Sequence, residues 1–176
     1  HDEPAVKALL PKLSIEMRYN EAGEQRMFLD GEDVSEAIRM PEISICASDV
    51  SSLPAVRSFL LEMQRKLARE HNVVMDGRDI GTVVLPDADL KIFLTASAEQ
   101  RAKRRMLELG AKGVDASFDE VLKDIEYRDD QDTKRAAAPL RAAEDAVRVD
   151  TSSLNFEESA AVLAGLVIDR LSPKQE

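Results

Sequence analysis

The sequence predicts an α/β fold: a parallel sheet flanked by helices, with a small antiparallel lobe near the start. Three observations predict it. In the second half, short apolar runs alternate with amphipathic stretches, the pattern of strand–helix–strand units in a parallel sheet. Residues 13–34 instead alternate apolar and polar positions around tight turns, as antiparallel strands do. Charged residues make up 33% and aromatics only 4%, a composition that suits a helix-rich chain.

The 176 residues suit one domain with a small insertion and are enough to bury a real core. A formal net charge of -10 argues against non-specific binding to a nucleic-acid backbone. Basic residues nevertheless gather at Arg101, Lys103, Arg104 and Arg105, and again at Arg128, Lys134, Arg135 and Arg141. Local arginine clusters in an acidic chain fit a small anionic ligand better than a polymer. The single cysteine, Cys46, excludes an intrachain disulfide. Only His1 and His71 could join it on a metal, at no ligand-like spacing, so it reads as a buried or half-buried helix residue. No apolar run reaches membrane-spanning length and no signal peptide opens the chain, so a cytoplasmic location is expected.

In order, residues 1–12 read as the tail of a helix. Leu13, Ile15, Met17 and Tyr19 share one face of a half-buried strand, Asn20–Glu24 turns, and Gln25–Leu29 returns. Asp30–Gly31 makes a tight turn, completing a hairpin or meander. Ser35 is placed to cap a short helix reaching Arg39. Pro41 starts a helix through about Val50, and Pro54 a longer one striped by Val56, Phe59, Leu60, Met63 and Leu67. Ser48 and Arg57 lie off the stripe, as solvated side chains or facing a ligand. A strand is expected over Leu90–Thr95, then a helix over Ala98–Leu109 capped by Ser97 and ending near Gly110. Ser117 with Glu120 forms a capping box for the next helix, and Asn155 with Glu158 for the last. Between them Ala146–Asp150 is a core strand. The last helix should set Phe156, Ala160, Leu163, Val167 and Leu171 against the sheet, and Pro173 should end it.

Two charged stretches carry the candidate chemistry. The first, V-V-M-D-G-R-D-I-G-T at 73–82, opens as a strand buried on both faces and breaks into a turn holding Asp76, Arg78 and Asp79 between glycines. Ligands of open α/β sheets bind beyond the carboxyl ends of strands, where these charges would sit. Arg78 can hold a phosphate by two parallel bonds, and a carboxylate can accept from an exocyclic amine or orient metal-bound water. A charged surface turn explains the same residues. The second, Y-R-D-D-Q-D-T-K-R at 127–135, continues a helix past its last apolar residue. Arg128, Asp132 and Arg135 fall on one face, as an ordinary ion-pair network or as a lid that closes on phosphates.

D-G-R-D-I-G-T-V-V-L-P-D-A at 76–88 resembles bacterial cytidylate kinases, nucleoside monophosphate kinases of the P-loop class. R-D-D-Q-D-T-K-R-A-A-A-P-L at 128–140 resembles that family's lid. G-E-D-V-S-E-A-I-R at 31–39 and A-S-D-V-S-S-L-P-A-V-R at 47–57 resemble its nucleotide-binding insert. The resemblance implies a parallel-sheet P-loop kinase core with an antiparallel β/helical insert and a helical lid. It divides the chain into a residual core helix at 1–12, a CMP-binding insert at 13–53, core at 54–110, lid at 111–136 and core at 137–176. The family's phosphate loop, G-x-x-x-x-G-K-[ST], occurs nowhere in this sequence. The expectation is therefore a core incomplete in its first strand and P-loop, with its strands split into two groups, in a portion of a longer kinase inactive on its own.

The family transfers the γ-phosphoryl of ATP, with Mg2+, to CMP or dCMP. Carried onto this chain, the resemblance implies that Ser48, Arg57 and Asp79 read the cytosine, and that Arg78 and Arg135 grip the acceptor phosphate. Arg128 and Asp132 close over sugar and phosphate, Asp76 orients water on magnesium, and Arg104 lies beside the adenine nucleotide. Gln131 stands where some relatives carry a basic residue. The implied partners are CMP, dCMP and ATP, with no nucleic-acid polymer, no membrane, and a monomer when full-length. A CMP-binding scaffold without turnover, or a kinase for another monophosphate, are the competing readings.

Overall fold

The computed structural model describes residues 2–51, 53–111 and 113–172, with the side chains at 41, 42, 44, 45 and 48 outside the described set. It divides into two compact units, His1–Val73 and Val74–Glu176.

The first unit opens with α1 (Glu3–Leu9), capped by Asp2 with a proline in its first turn, and a 3-10 turn over Leu10–Lys12. A three-stranded antiparallel sheet follows, β1 (Ile15–Tyr19), β2 (Gln25–Leu29) and β3 (Glu32–Asp33), in that order. Register is set by the turns. Asn20 Oδ1 accepts from the Ala22 and Glu24 amides in the first. In the second, Asp30 (φ 52) and Gly31 (φ 87) are both left-handed and Leu29 faces Glu32, the two-residue loop that matches strand twist. The expected half-buried face of β1 is thinner than its alternation suggests, since Met17 is 37% and Tyr19 67% exposed.

Ser35 corrects the sequence reading. It caps no helix: the 3-10 turn Ala37–Arg39 has Glu36 at its N-cap, without a side-chain cap. Ser35 is instead buried, accepting from the Met27 amide at 2.8 Å and donating to Asp33 Oδ1 at 2.6 Å. Asp33 also accepts from the Ser35 amide and from Arg26 Nε, and these bonds, Ser35's first, hold its carboxyl down at about 2. α2 (Pro41–Ser51) and α3 (Pro54–Glu70) start at the expected prolines. Val56 is the buried residue of α3. Cys46 is exposed, against the expectation of a buried or half-buried helix residue, because α2 presents it to solvent.

In the second unit, β4 (Ile92–Thr95) and β5 (Val147–Asp150) pair in parallel, with Ile92 facing Val147 and Thr95 facing Asp150. Their carboxyl ends are tied by a polar knot. Thr151, buried, donates its amide and hydroxyl to the Thr95 carbonyl, and Ser152 Oγ accepts from the Ser97 amide while donating to Asp150. The core lies between α4 (Ala98–Ala111) and α5 (Phe118–Lys134), where Ala102, Leu109 and Val121 are buried against Met106, Phe118, Leu122 and Ile125. Across that interface Arg101 holds Asp129 by two bonds of 2.9 and 2.6 Å. α4 runs past Gly110; the helix is stopped by Gly113 (φ 73), whose amide bonds the Gly110 carbonyl while Val114's bonds Leu109's, a Schellman closure. Both expected capping boxes, at Ser117–Glu120 and Asn155–Glu158, are present.

Two expectations fail here. Val73–Met75 is not a strand: among the described residues it joins neither sheet, and Val74 is fully exposed. An apolar run becomes a strand only when a neighbour completes its ladder, and among the described residues β4 pairs with β5 alone. The last helix, α6 (Phe156–Leu171), does not press its stripe on the sheet either: Phe156 is 82% and Leu171 75% exposed. Each strand has four residues, spanning about 13 Å. The sixteen residues of α6 run to about 24 Å, so the sheet cannot cover the helix. Pro173 lies outside the described residues.

Candidate functional site

The site is built in the second unit from a loop and a helix end. The loop begins at Gly77, where a Cβ would come within 2.9 Å of Ile80 Cγ1; glycine lets that side chain pack on the backbone. Ile80–Val84 then forms a single π turn. The Asp79 carbonyl accepts from Val83 N at 2.8 Å and more loosely from Thr82 N and Val84 N, and Leu85 N closes onto Ile80 O at 2.7 Å. Wide turns of this kind concentrate at functional sites. This one anchors Asp79 at its head through buried Val84. Nothing in the sequence signals it, because I-G-T-V-V reads equally as the end of a strand.

The helix end is the last turn of α5. Arg135 is its C-cap, with extended backbone (ψ 139), and the chain folds back so that Leu140 N bonds Asp132 O at 2.8 Å. Between them Ala138 takes a left-handed conformation (φ 51), and its carbonyl accepts from Arg135 Nε at 2.6 Å.

Loop and helix end meet through charge. Arg78 Nε donates to Asp132 Oδ2 at 2.9 Å, Arg135 Nη1 stands 3.8 Å from Asp132 Oδ1, and Arg135 Nη2 stands 3.6 Å from Asp79 Oδ1. Asp79, Asp132 and Arg135 side chains are only 12–18% exposed, whereas Arg78 is 47% exposed. Among the described residues neither Nη of Arg135 finds a hydrogen bond, and Nη2 is buried. A buried guanidinium nitrogen without an acceptor is costly, and an anion arriving between Arg78 and Arg135 would satisfy it.

Of the predicted residues, Arg78, Asp79, Asp132 and Arg135 are thus brought together. Of the ion-pair network read in the second stretch, Asp132 and Arg135 pair at 3.8 Å (i,i+3), while Arg128 and Asp132 do not pair among the described residues; Asp130 and Lys134 add an i,i+4 pair. Asp132 is different: its shortest bond reaches Arg78, far away in sequence. Arg128 is exposed and bonds to none of the described residues, and Asp76 is exposed on the loop before Gly77. Arg104 is engaged elsewhere, donating to the Thr151 and Leu154 carbonyls and to Thr151 Oγ1, so that it pins the turn between β5 and α6. Arg57 lies half-buried on α3 of the first unit, and the Ser48 side chain is outside the described residues. The helix basic residues that suggested a nucleotide contact mostly serve pairs within the unit, Arg101 with Asp129 and Arg105 with Glu108. Among the described residues, no three His, Cys, Asp or Glu side chains gather as a metal ion would require. No helix among them is long and apolar enough to cross a membrane. Ala138 is the site residue that the sequence did not reveal. Pro139 after it disfavours the right-handed helix there, but nothing marks its carbonyl as an arginine acceptor.

Comparison with known proteins finds similarity along most of the chain. The profile of the cytidylate kinase family matches residues 1–167. A cytidylate kinase of Caldicellulosiruptor bescii is 52% identical over 158 residues, covering 90% of this chain and 70% of that protein. One from Carboxydothermus hydrogenoformans is 50% identical over 166 residues, covering 94% and 74%. One from Pseudomonas syringae pv. tomato is 51% identical over 158 residues, covering 89% and 69%.

Proposed function

The chain belongs to the cytidylate kinase family, and on that premise we propose that it takes part in phosphoryl transfer from ATP to CMP or dCMP, supplying the acceptor-binding and lid parts. The observation that carries this reading is the pair Arg78 and Arg135, drawn together by Asp132, with a buried guanidinium nitrogen awaiting an acceptor. Phosphoryl transfer needs positioning and charge neutralisation more than covalent catalysis. Two guanidiniums supply both for the acceptor phosphate, aligning its attacking oxygen and offsetting its charge. Asp79, at the head of the π turn, accepts from the cytosine N4 amine; uracil presents a carbonyl there and is repelled. Asp132 keeps Arg78 and Arg135 spaced for the phosphate, and with Arg128 from the same helix it closes over the sugar and phosphate.

Magnesium would arrive with ATP's phosphates, and Asp76, exposed on the loop before Gly77, would orient its water. Arg104, engaged with backbone carbonyls, supports donor binding only by fixing the turn it holds. The acting species is a monomer in the cytoplasm.

The family match over residues 1–167 favours this reading over a CMP-binding scaffold without turnover. An ADP-release assay with ATP, Mg2+ and either CMP, dCMP or UMP, run on a protein that carries the family's phosphate loop together with this sequence, tests it. Release is expected with CMP and dCMP, and slower by about tenfold or more with UMP, the scale of one mismatched buried polar contact. Equal rates with all three would overturn the acceptor assignment; CMP binding without ADP release would return the scaffold.

A further inference from the structure

We propose that Ala138 is a positioning residue for Arg135, and that its left-handed backbone sets the direction in which that arginine offers its donors to an anion. The inference rests on the acceptor reading of the site and deepens it.

Alanine with φ 51 is uncommon, because its Cβ crowds the carbonyl in the left-handed region. Here the conformation turns the Ala138 carbonyl onto Arg135 Nε, at 2.6 Å, three residues back along the chain. Among the described residues that bond is the only short one the guanidinium makes. Its other two nitrogens stand 3.8 and 3.6 Å from Asp132 and Asp79, too far for hydrogen bonds. A guanidinium is planar, so fixing Nε fixes the plane and leaves the Nη edge as the presented face. That edge carries the buried, unbonded Nη2. The same fold-back is secured at its far side by Leu140 N on Asp132 O, so one short loop orients Arg135 and holds Asp132 beside it. The ligand class that fits is a tetrahedral oxyanion taking two parallel N–H bonds, the phosphate of a nucleoside monophosphate rather than its base.

Three variants and one spectroscopic readout test this on the intact chain. In the wild type, the Arg135 Nε–H should exchange with water more slowly than that of a surface arginine such as Arg69, measured by nitrogen-15 NMR. Ala138→Gly, which favours the left-handed conformation, should keep both the slow exchange and CMP binding. Ala138→Val, whose branched side chain resists it, should lose the slow exchange and weaken CMP binding by about tenfold, the loss of one oriented charge-assisted bond. Cytidine, which lacks the phosphate, should bind both variants as it binds the wild type. In an Arg135→Ala background, Ala138→Val should have no further effect on CMP.

Fast exchange at Arg135 in the wild type overturns the inference even if Ala138→Val does not fold. So does Ala138→Val binding CMP as the wild type does, or weakening cytidine equally. Failure of the wild type to bind CMP would instead remove the acceptor reading itself, and the inference with it.

Discussion

Arg78 and Asp132 are joined by a 2.9 Å bond between Nε and Oδ2, although 54 residues separate them. The pair connects the loop that carries Asp79 to the end of α5 that carries Arg135. Asp132 lies between two guanidiniums and keeps them from repelling each other. Replacing Asp132 with Asn should leave the fold intact and lower stability by less than about 1 kcal/mol, because Arg78 is half exposed. CMP binding should fall by about tenfold, since both arginines lose the group that sets their spacing. Thermal denaturation and calorimetry read the two effects separately.

Arg78→Lys should be nearly as damaging to CMP binding as Arg78→Ala. An ammonium cannot hold Asp132 through one edge and a phosphate through another, as a fork of five donors can. Calorimetry with CMP and with cytidine checks it: the loss should appear with CMP only. Full rescue by lysine would mean that Arg78 contributes charge alone.

Gly110 inside α4 and Gly113 just past its end should respond in opposite senses. Gly110 lies inside the helix with open space where a Cβ would go. Gly110→Ala should therefore stabilise by roughly 0.5–1 kcal/mol. Gly113 sits at φ 73 in the Schellman closure. Gly113→Ala should destabilise by about 1 kcal/mol, from the left-handed penalty on a Cβ. Urea unfolding of the two variants beside the wild type gives both signs in one experiment.

Asp33 should make the first unit acid-sensitive over a defined window. Its carboxyl is held at about 2, below the ordinary 3.8, by Ser35 and Arg26. A group whose folded value is depressed stabilises the fold fully above its unfolded value, and that stabilisation is lost as pH falls through the folded one. The contribution should be complete above about pH 4 and gone below about pH 2. Asp33→Asn should be less stable than the wild type at pH 7, and the gap should close across that window. Urea midpoints at pH 7, 4, 3 and 2 measure it; a constant gap would contradict the Asp33–Ser35 account.

Local chemistry made much of the fold legible. The Asp30–Gly31 hairpin, the prolines opening α2 and α3, and the capping boxes of α5 and α6 each depend on a few neighbouring residues, so the sequence carries them whole. What failed depends on partners elsewhere in the chain. The apolar run at Val73–Met75 lacks a ladder, and the stripe of α6 lacks a wide enough sheet. Ser35 had a helix cap within reach but is drawn to Asp33 and Met27 by the hairpin. In the site, sharing a helix face placed Asp132 and Arg135 together, and the motif singled out Arg78 and Asp79. That Arg78 and Asp132 are bonded to each other and that Arg104 serves a turn are tertiary facts with no local signature, while the Ala138 carbonyl reaches Arg135 through a left-handed conformation that an alanine does not announce.

The central claim is that this chain carries a seat for the phosphate and base of CMP, and competitive calorimetry tests it most directly. The wild-type chain is titrated with CMP, cytidine and UMP at one salt concentration. The account predicts that CMP binds more tightly than either by about tenfold or more, the phosphate lost in cytidine and the amine lost in UMP each removing a charged hydrogen bond. Binding of CMP no tighter than cytidine would contradict the roles of Arg78 and Arg135, and binding no tighter than UMP would contradict that of Asp79.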